Sequence, residues 1–211
     1  MRSLQRVAVL AATIVLLGEA PTPTAPSEEA ARVVALSSNR SSAVQSYTSR
    51  LHVDVALCSF PFLKFHLNGT MAFKRPNLYS VHFEHVPWFG KGFEDLKADP
   101  LVPMTWPEHY DITSLKREGG RALFEMRDKV DGHIKGVHAE LDNDGLRRIT
   151  WMYVNGGNID VQVTPSTVDG VPVPSVEDAD IKLPTYHVTA HATFTDYKIV
   201  TDSEANGERA R

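Results

Sequence analysis

Apolar and polar residues alternate with a period of two through most of the chain. Tyr47, Leu51, Val53, Val55 and Leu57 oppose Thr48, Arg50, His52 and Asp54; Leu67, Gly69, Met71 and Phe73 oppose Asn68, Thr70, Ala72 and Lys74; Tyr79, Val81 and Phe83 oppose Ser80, His82 and Glu84. This is the signature of half-buried strands. Pro76 has no N–H to give a ladder and biases Arg75 toward extended geometry, so Arg75-Pro76-Asn77 is expected to be a hairpin connection that leaves Arg75 at a rim. After Tyr110 the turn sequences Gly119-Gly120, Asp131-Gly132, Asn143-Asp144-Gly145 and Asn155-Gly156-Gly157 punctuate strands over 133–141, 146–154 and 159–164. Val171-Pro172-Val173-Pro174 reads as an edge segment, and Tyr186, Val188, Ala190, Ala192 and Phe194 mark the last strand.

Two stretches break the alternation. Ser27-Glu28-Glu29 followed by Ala30, Ala31, Val33, Val34 and Leu36 predicts a helix of about three turns. Between 86 and 107 the periodicity fails altogether, with four prolines, two glycines, two tryptophans and two phenylalanines, and 93–98 fits one or two helical turns. A loop so long and apolar either tucks its aromatics into the core or covers a cavity, with Trp88, Phe89, Phe93, Met104 and Trp106 as the lid. Nine to eleven strands, nearly all next neighbours, predict a mainly β fold with few helices: a strongly curved antiparallel sheet, an incomplete barrel closed by the N-terminal helix and the irregular lid. If the sheet curves around a ligand, one parity lines the hollow: Leu51, Val53, Leu67, Met71, Phe73, Tyr79, Val81, Phe83, Phe124, Trp151, Tyr153, Val188 and Phe194. The rival is a closed core in which the same side chains interdigitate.

The ends of the chain look different from its middle. Arg2 and Arg6 precede an apolar run of about a dozen residues and Gly18-Glu19-Ala20, which reads as a secretory signal peptide over 1–20 and is too short to span a bilayer. A proline-rich tether, 21–27, leads into a single domain over 28–200, and a charged tail follows over 201–211. Loss of the signal leaves 20 basic against 25 acidic residues, a mildly acidic surface that argues against a nucleic-acid partner. The single cysteine, Cys58, forms no intramolecular disulfide and is expected to be a small buried apolar residue.

Catalytic signatures are missing: no G-x-S-x-G, P-loop, H-E-x-x-H or cysteine pair occurs. His187 and His191 lie four strand residues apart, ~13 Å, too far to share one zinc. His52 and His66 share the outward parity and fit as cross-strand neighbours, but two ligands without a third make a weak site, so no metal or cofactor is expected. Asp142-Asn143-Asp144-Gly145 lacks the glutamate and the length of a calcium loop and reads as a hairpin turn.

Gly69-x-x-x-x-Lys74-Arg75-Pro76-Asn77-Leu78 resembles the G-x-(apolar)-x-(apolar)-K-R-P-N-(apolar) signature of periplasmic lipoprotein carriers of the LolA/LolB type. The order of export signal, short helix, long strand, this motif and a run of hairpins is similar to that superfamily, and VDGVPVPSVEDADIKLPTYHVTAHATFTDYKI looks like lipoprotein-sorting homologues, so the resemblance covers about 27–200. It implies an incomplete barrel over an apolar cavity, Arg75 as a latch, and a carrier or chaperone for acylated lipoprotein or another lipid. It further implies a monomeric periplasmic protein, or a secreted one, that touches the membrane transiently and meets envelope transport proteins. Two other classes stay open: an envelope sensor or regulator of the same fold, and an enzyme on this scaffold, for which no motif speaks.

Overall fold

The computed structural model describes residues 26–39, 44–60, 63–75, 78–86, 101–129 and 132–201. The expected signal peptide, most of the tether and nearly all of the tail lie outside them, as do Trp88, Phe89, Phe93 and the helical turns expected over 93–98. A helix, α1 (Pro26–Asn39), precedes three strands, β1 (Val44–Leu57), β2 (Lys64–Lys74) and β3 (Leu78–Phe83). After a 3-10 turn at Pro103–Thr105 and a short helix, α2 (Trp106–His109), come β4 (Tyr110–Glu118), β5 (Arg121–Asp128), β6 (Ile134–Asp142), β7 (Gly145–Tyr153), β8 (Asn158–Val168), β9 (Val171–Leu183) and β10 (Tyr186–Thr201).

All ten strands form one antiparallel sheet in the order β3-β2-β1-β10-β9-β8-β7-β6-β5-β4. Seven strands run as a meander from β4 to β10, and β10 then pairs with β1 along its length, so the chain returns on itself while β3 and β4 remain edges. The sheet is curled but not closed, which bears out the incomplete barrel. Its curvature has a local cause: register shifts interrupt the ladders β1–β10, β4–β5, β6–β7 and β8–β9, and each extra residue bends its strand.

Parity sorts the side chains cleanly. On β1, Tyr47, Ser49, Leu51 and Val55 are buried and face inward, while His52, Asp54 and Ala56 face outward. Cys58 continues the outward parity, so it is exposed in the turn after β1 rather than buried as expected; its Sγ lies 3.9 Å from Thr189 Oγ1. The proline pair on β9 behaves as an edge only locally: Pro172 and Pro174 pair with β8, whereas the β10 ladder reaches β9 only from Val176 onward. That arrangement lets β8 and β9 run on to a tight hairpin at Asp169-Gly170, both at positive φ (50° and 79°), well past the end expected near Thr164.

The inner face carries three apolar clusters. The largest spans β4 to β8, where Ala30, Val33 and Val34 of α1 meet Trp106, Phe124, Val137, Ile149 and Trp151. Trp106 is fully buried and stands edge-on to Phe124, with ring centroids 5.4 Å apart. Trp151 Nε1–H donates to the Tyr110 hydroxyl at 2.9 Å, satisfying the one polar atom of a buried indole. The other two clusters lie on β1, β2, β3, β9 and β10, around Leu51, Met71 and Phe194 and around Val55, Leu67 and Val188.

Candidate ligand-binding face

The residues expected to line a hollow divide between these clusters. Phe124, Trp151 and Tyr153 belong to the half covered by α1 and Trp106. Leu51, Val53, Met71, Phe73, Tyr79, Val81, Phe83 and Phe194 gather in the second cluster, and Leu67 and Val188 in the third, which also takes Val53 and Phe83. Register explains the gathering: Leu51 pairs with Gly69 and Phe194, and Gly69 with Phe83, so inward positions of four strands stand side by side. Leu51, Leu67, Met71, Val188 and Phe194 are buried, but Val53, Phe73, Tyr79, Val81 and Phe83 are only half-buried.

The two halves are covered differently. Among the described residues, every member of the second cluster is a strand residue, and the third adds only Val86 from outside the strands. Val86 packs on the third cluster and Leu101 against the first, so the chain leaves β3 and re-enters the described structure on the inner face. Of the expected lid residues that are described, Trp106 is buried in the first cluster, whereas Met104 is 47% exposed. Arg75, one residue past β2, is exposed, and its backbone N–H donates to the Gln45 carbonyl at 2.9 Å.

Gly69 has a steric role. A Cβ built there would stand 2.2 Å from the His82 carbonyl oxygen, so only glycine lets β3 approach β2 at this rung. The inward Tyr79 and Phe83 of β3 are thereby held beside Phe73 and Met71, with Phe73 and Tyr79 ring centroids 4.8 Å apart.

Sequence reasoning missed a charged inner-face residue, Glu177. It pairs with Ala192 on one side and Val163 on the other, both inner-face positions, and so points into apolar surroundings near Tyr47, Tyr79 and Tyr197. Loss of water pushes its carboxyl up to about 7. Burial likewise raises all three phenols, and the Glu177 charge adds to the rise in each. Tyr197 donates to the Pro174 carbonyl. The signal was present: Glu177 shares the parity of Ala179 and Ile181, but the acidic run Glu177-Asp178-Asp180 hides the alternation.

The outer face is polar. A shallow groove of about 540 Å³ crosses β2, β1, β10, β9 and β8, lined by Asp54, His66, Asp160, Asp178, Asp180 and His191 among others. His187 Nε2 lies 2.6 Å from Asp180 and His191 Nδ1 2.6 Å from Asp178, so each histidine has its own carboxylate partner and the two share none. Asp160 is desolvated, which raises its carboxyl, but hydrogen bonds from Arg148, Thr150 and Gln162 outweigh that and hold it low. The Asp142-Asn143-Asp144-Gly145 turn is a hairpin turn, its carboxylates bound by Arg147. His52 and His66 are indeed cross-strand neighbours, stacked at 5.8 Å, with Asp54 touching both.

No protein-family model and no curated protein matches the chain. Solved structures do. A DUF1329 family protein from Desulfovibrio piger superposes with a TM-score of 0.58 at 7% identity, covering 89% of this chain and 100% of that one. A putative outer membrane lipoprotein-sorting protein domain from Vibrio parahaemolyticus gives 0.54 at 7% identity, over 85% and 98%. A LolA superfamily protein from Nitrosomonas europaea gives 0.49 at 8%, over 81% and 93%. The first two share this fold across nearly their whole length, in line with the resemblance drawn from the Gly69 to Leu78 motif.

Proposed function

We propose that this chain is a lipid-binding carrier or chaperone of the cell envelope, which holds an acyl chain against the inner face of β1, β2, β3 and β10. One observation carries the reading: large apolar side chains there, Phe73, Tyr79, Val81 and Phe83 among them, stay half-buried, while the opposite half of the same face is sealed by α1 and Trp106. A soluble domain gains nothing from leaving such a surface open unless something covers it. Moving an acyl chain of ~14 methylenes into water costs on the order of 11 kcal/mol at ~0.8 kcal/mol per methylene, so a carrier needs an apolar face of this kind.

The lid expected over 86–107 is supported by Val86 and Leu101, which both pack on the inner face. Arg75 serves as the latch, its five-donor fork suited to bridging the lid and the barrel rim. Glu177, with Tyr47, Tyr79 and Tyr197, offers the polar end of the ligand a place to hydrogen-bond within the apolar face. The cargo class is an acylated lipoprotein or a free lipid, taken up and released at the membrane by a monomeric periplasmic protein working with envelope transport proteins. Among the described residues no helix is long and apolar enough to cross a membrane. The fold shared with a putative lipoprotein-sorting domain supports the reading.

Binding of a fluorescent apolar dye tests it. Wild type takes up the dye; Phe83→Ala and Tyr79→Ala weaken uptake several-fold while folding normally, and Trp151→Ala lowers stability instead. Absence of dye uptake by the wild type, or equal uptake by all variants, contradicts the carrier reading.

A further inference from the structure

We propose that His52, Asp54 and His66 form a zinc-binding site on the outer face of the sheet, independent of the apolar inner face and of the lipid reading. The three residues and Asn68 occupy alternate rungs of the β1–β2 ladder, next to each other on the outer face: His52 pairs with Asn68, and Asp54 with His66. Positions 52 and 54 share a face, as do 66 and 68, so four side chains converge at the corners of one small quadrilateral. Sequence spacing offers only the two histidines as neighbours; the register brings Asp54 between them as the third ligand.

The ligand atoms are already gathered. One donor atom from each residue lies within 4.8 Å of the others. His52 Nε2 stands 3.2 Å from Asp54 Oδ1, and His66 Nδ1 touches the same oxygen. Ligands bound tetrahedrally to zinc at ~2.0–2.1 Å sit roughly 3.3 Å apart, so the observed edge is close to that of a filled site and a small outward shift of His66 completes it. The two imidazole rings lie nearly parallel, 15° apart.

A second set of contacts orients the ligands. Asn68 Oδ1 lies 2.7 Å from His52 Nδ1 and accepts its N–H, which turns Nε2 toward the Asp54 carboxylate. An oxygen that fixes the remote ring nitrogen is the usual support of a zinc-bound histidine. Two histidines and one carboxylate leave the fourth tetrahedral position for water or an exogenous ligand. The site borders the groove lined by Asp160, Asp178 and Asp180. His187 and His191 do not compete, each being held by its own carboxylate.

Calorimetric titration of the purified full chain, stripped with a chelator, with zinc chloride tests the assignment. Wild type binds one equivalent with micromolar or tighter affinity, and its melting temperature rises with added zinc. His52→Gln, His66→Gln and the isosteric Asp54→Asn each weaken binding at least tenfold with an unchanged far-UV spectrum, because all three side chains are partly exposed and no core contact is lost. Asn68→Ala weakens it by ~10–100-fold, acting through His52. His187→Gln and His191→Gln leave it unchanged. Failure of wild type to bind zinc at millimolar concentration, or undiminished binding by folded His52→Gln and Asp54→Asn, overturns the proposal.

Discussion

Gly69 and Glu177 are the two residues on which the inner face depends most. Placing a methyl group at Gly69 drives it into the His82 carbonyl, so Gly69→Ala forces β3 away from β2 and costs roughly 1–3 kcal/mol; urea unfolding checks this, and β3 amides lose protection in hydrogen exchange first. Glu177 makes stability depend on pH. Its folded-state carboxyl titrates near 7 against an ordinary 4.5, so the folded state binds the extra proton between those values. Its contribution is full below about 4.5 and is lost as pH rises through about 7, by at most ~3 kcal/mol. Glu177→Gln removes that loss: the variant gains stability relative to wild type from pH 5 to pH 8, measured by urea midpoints, and a constant difference across the range contradicts the assignment. The inward parity of Leu51, Val53, Met71 and Phe83 was legible residue by residue because each alternates with a polar neighbour. Glu177 was not, since its neighbours at 178 and 180 are acids facing the opposite way.

At the scale of elements, α1 and α2 work as one plug. Ala30, Val33 and Val34 close over Trp106 and Phe124, while the link from Glu29 to Arg117 is an exposed pair that adds little. Trp106→Ala empties a fully buried indole site, and a loss of ~3–5 kcal/mol is expected together with fraying of α1, read by thermal denaturation and by α1 amide exchange. Phe83→Ala removes a half-buried ring and costs ~1 kcal/mol, a contrast that a uniformly packed core does not give. If Arg75 latches the lid, Arg75→Leu speeds amide exchange over 87–100 more than Arg75→Lys does, and equal exchange in both variants and wild type sinks the latch. Helix and strands were readable from caps and alternation. The Trp106 helix was not, because prolines at 103 and 107 disguise a helical start as loop, and the Asp169-Gly170 hairpin was overshadowed by the prolines that follow it.

At the scale of the molecule, neighbour-to-neighbour pairing made the open curved sheet legible, since turns every ten residues or so leave a meander as the simplest topology. What the linear pattern does not encode is which strand closes on β1. The β1–β10 ladder pairs residues about 150 apart, and it joins the β1–β3 end of the sheet to the meander and so creates the two strand-built clusters. In the outer-face cluster the neighbouring His52 and His66 were legible from parity, whereas the place of Asp54 between them comes from the β1–β2 register. The proposed carrier role requires that the inner face of β1, β2, β3 and β10 hold a lipid. Native mass spectrometry of the protein purified gently from its own cell envelope, followed by organic extraction, tests this most directly: the account predicts a fraction of the protein heavier by the mass of an acylated molecule, lost on extraction and reduced in Phe83→Ala. A single apo mass in wild type under conditions that keep lipid bound to other carriers, with no lipid in the extract, would contradict it.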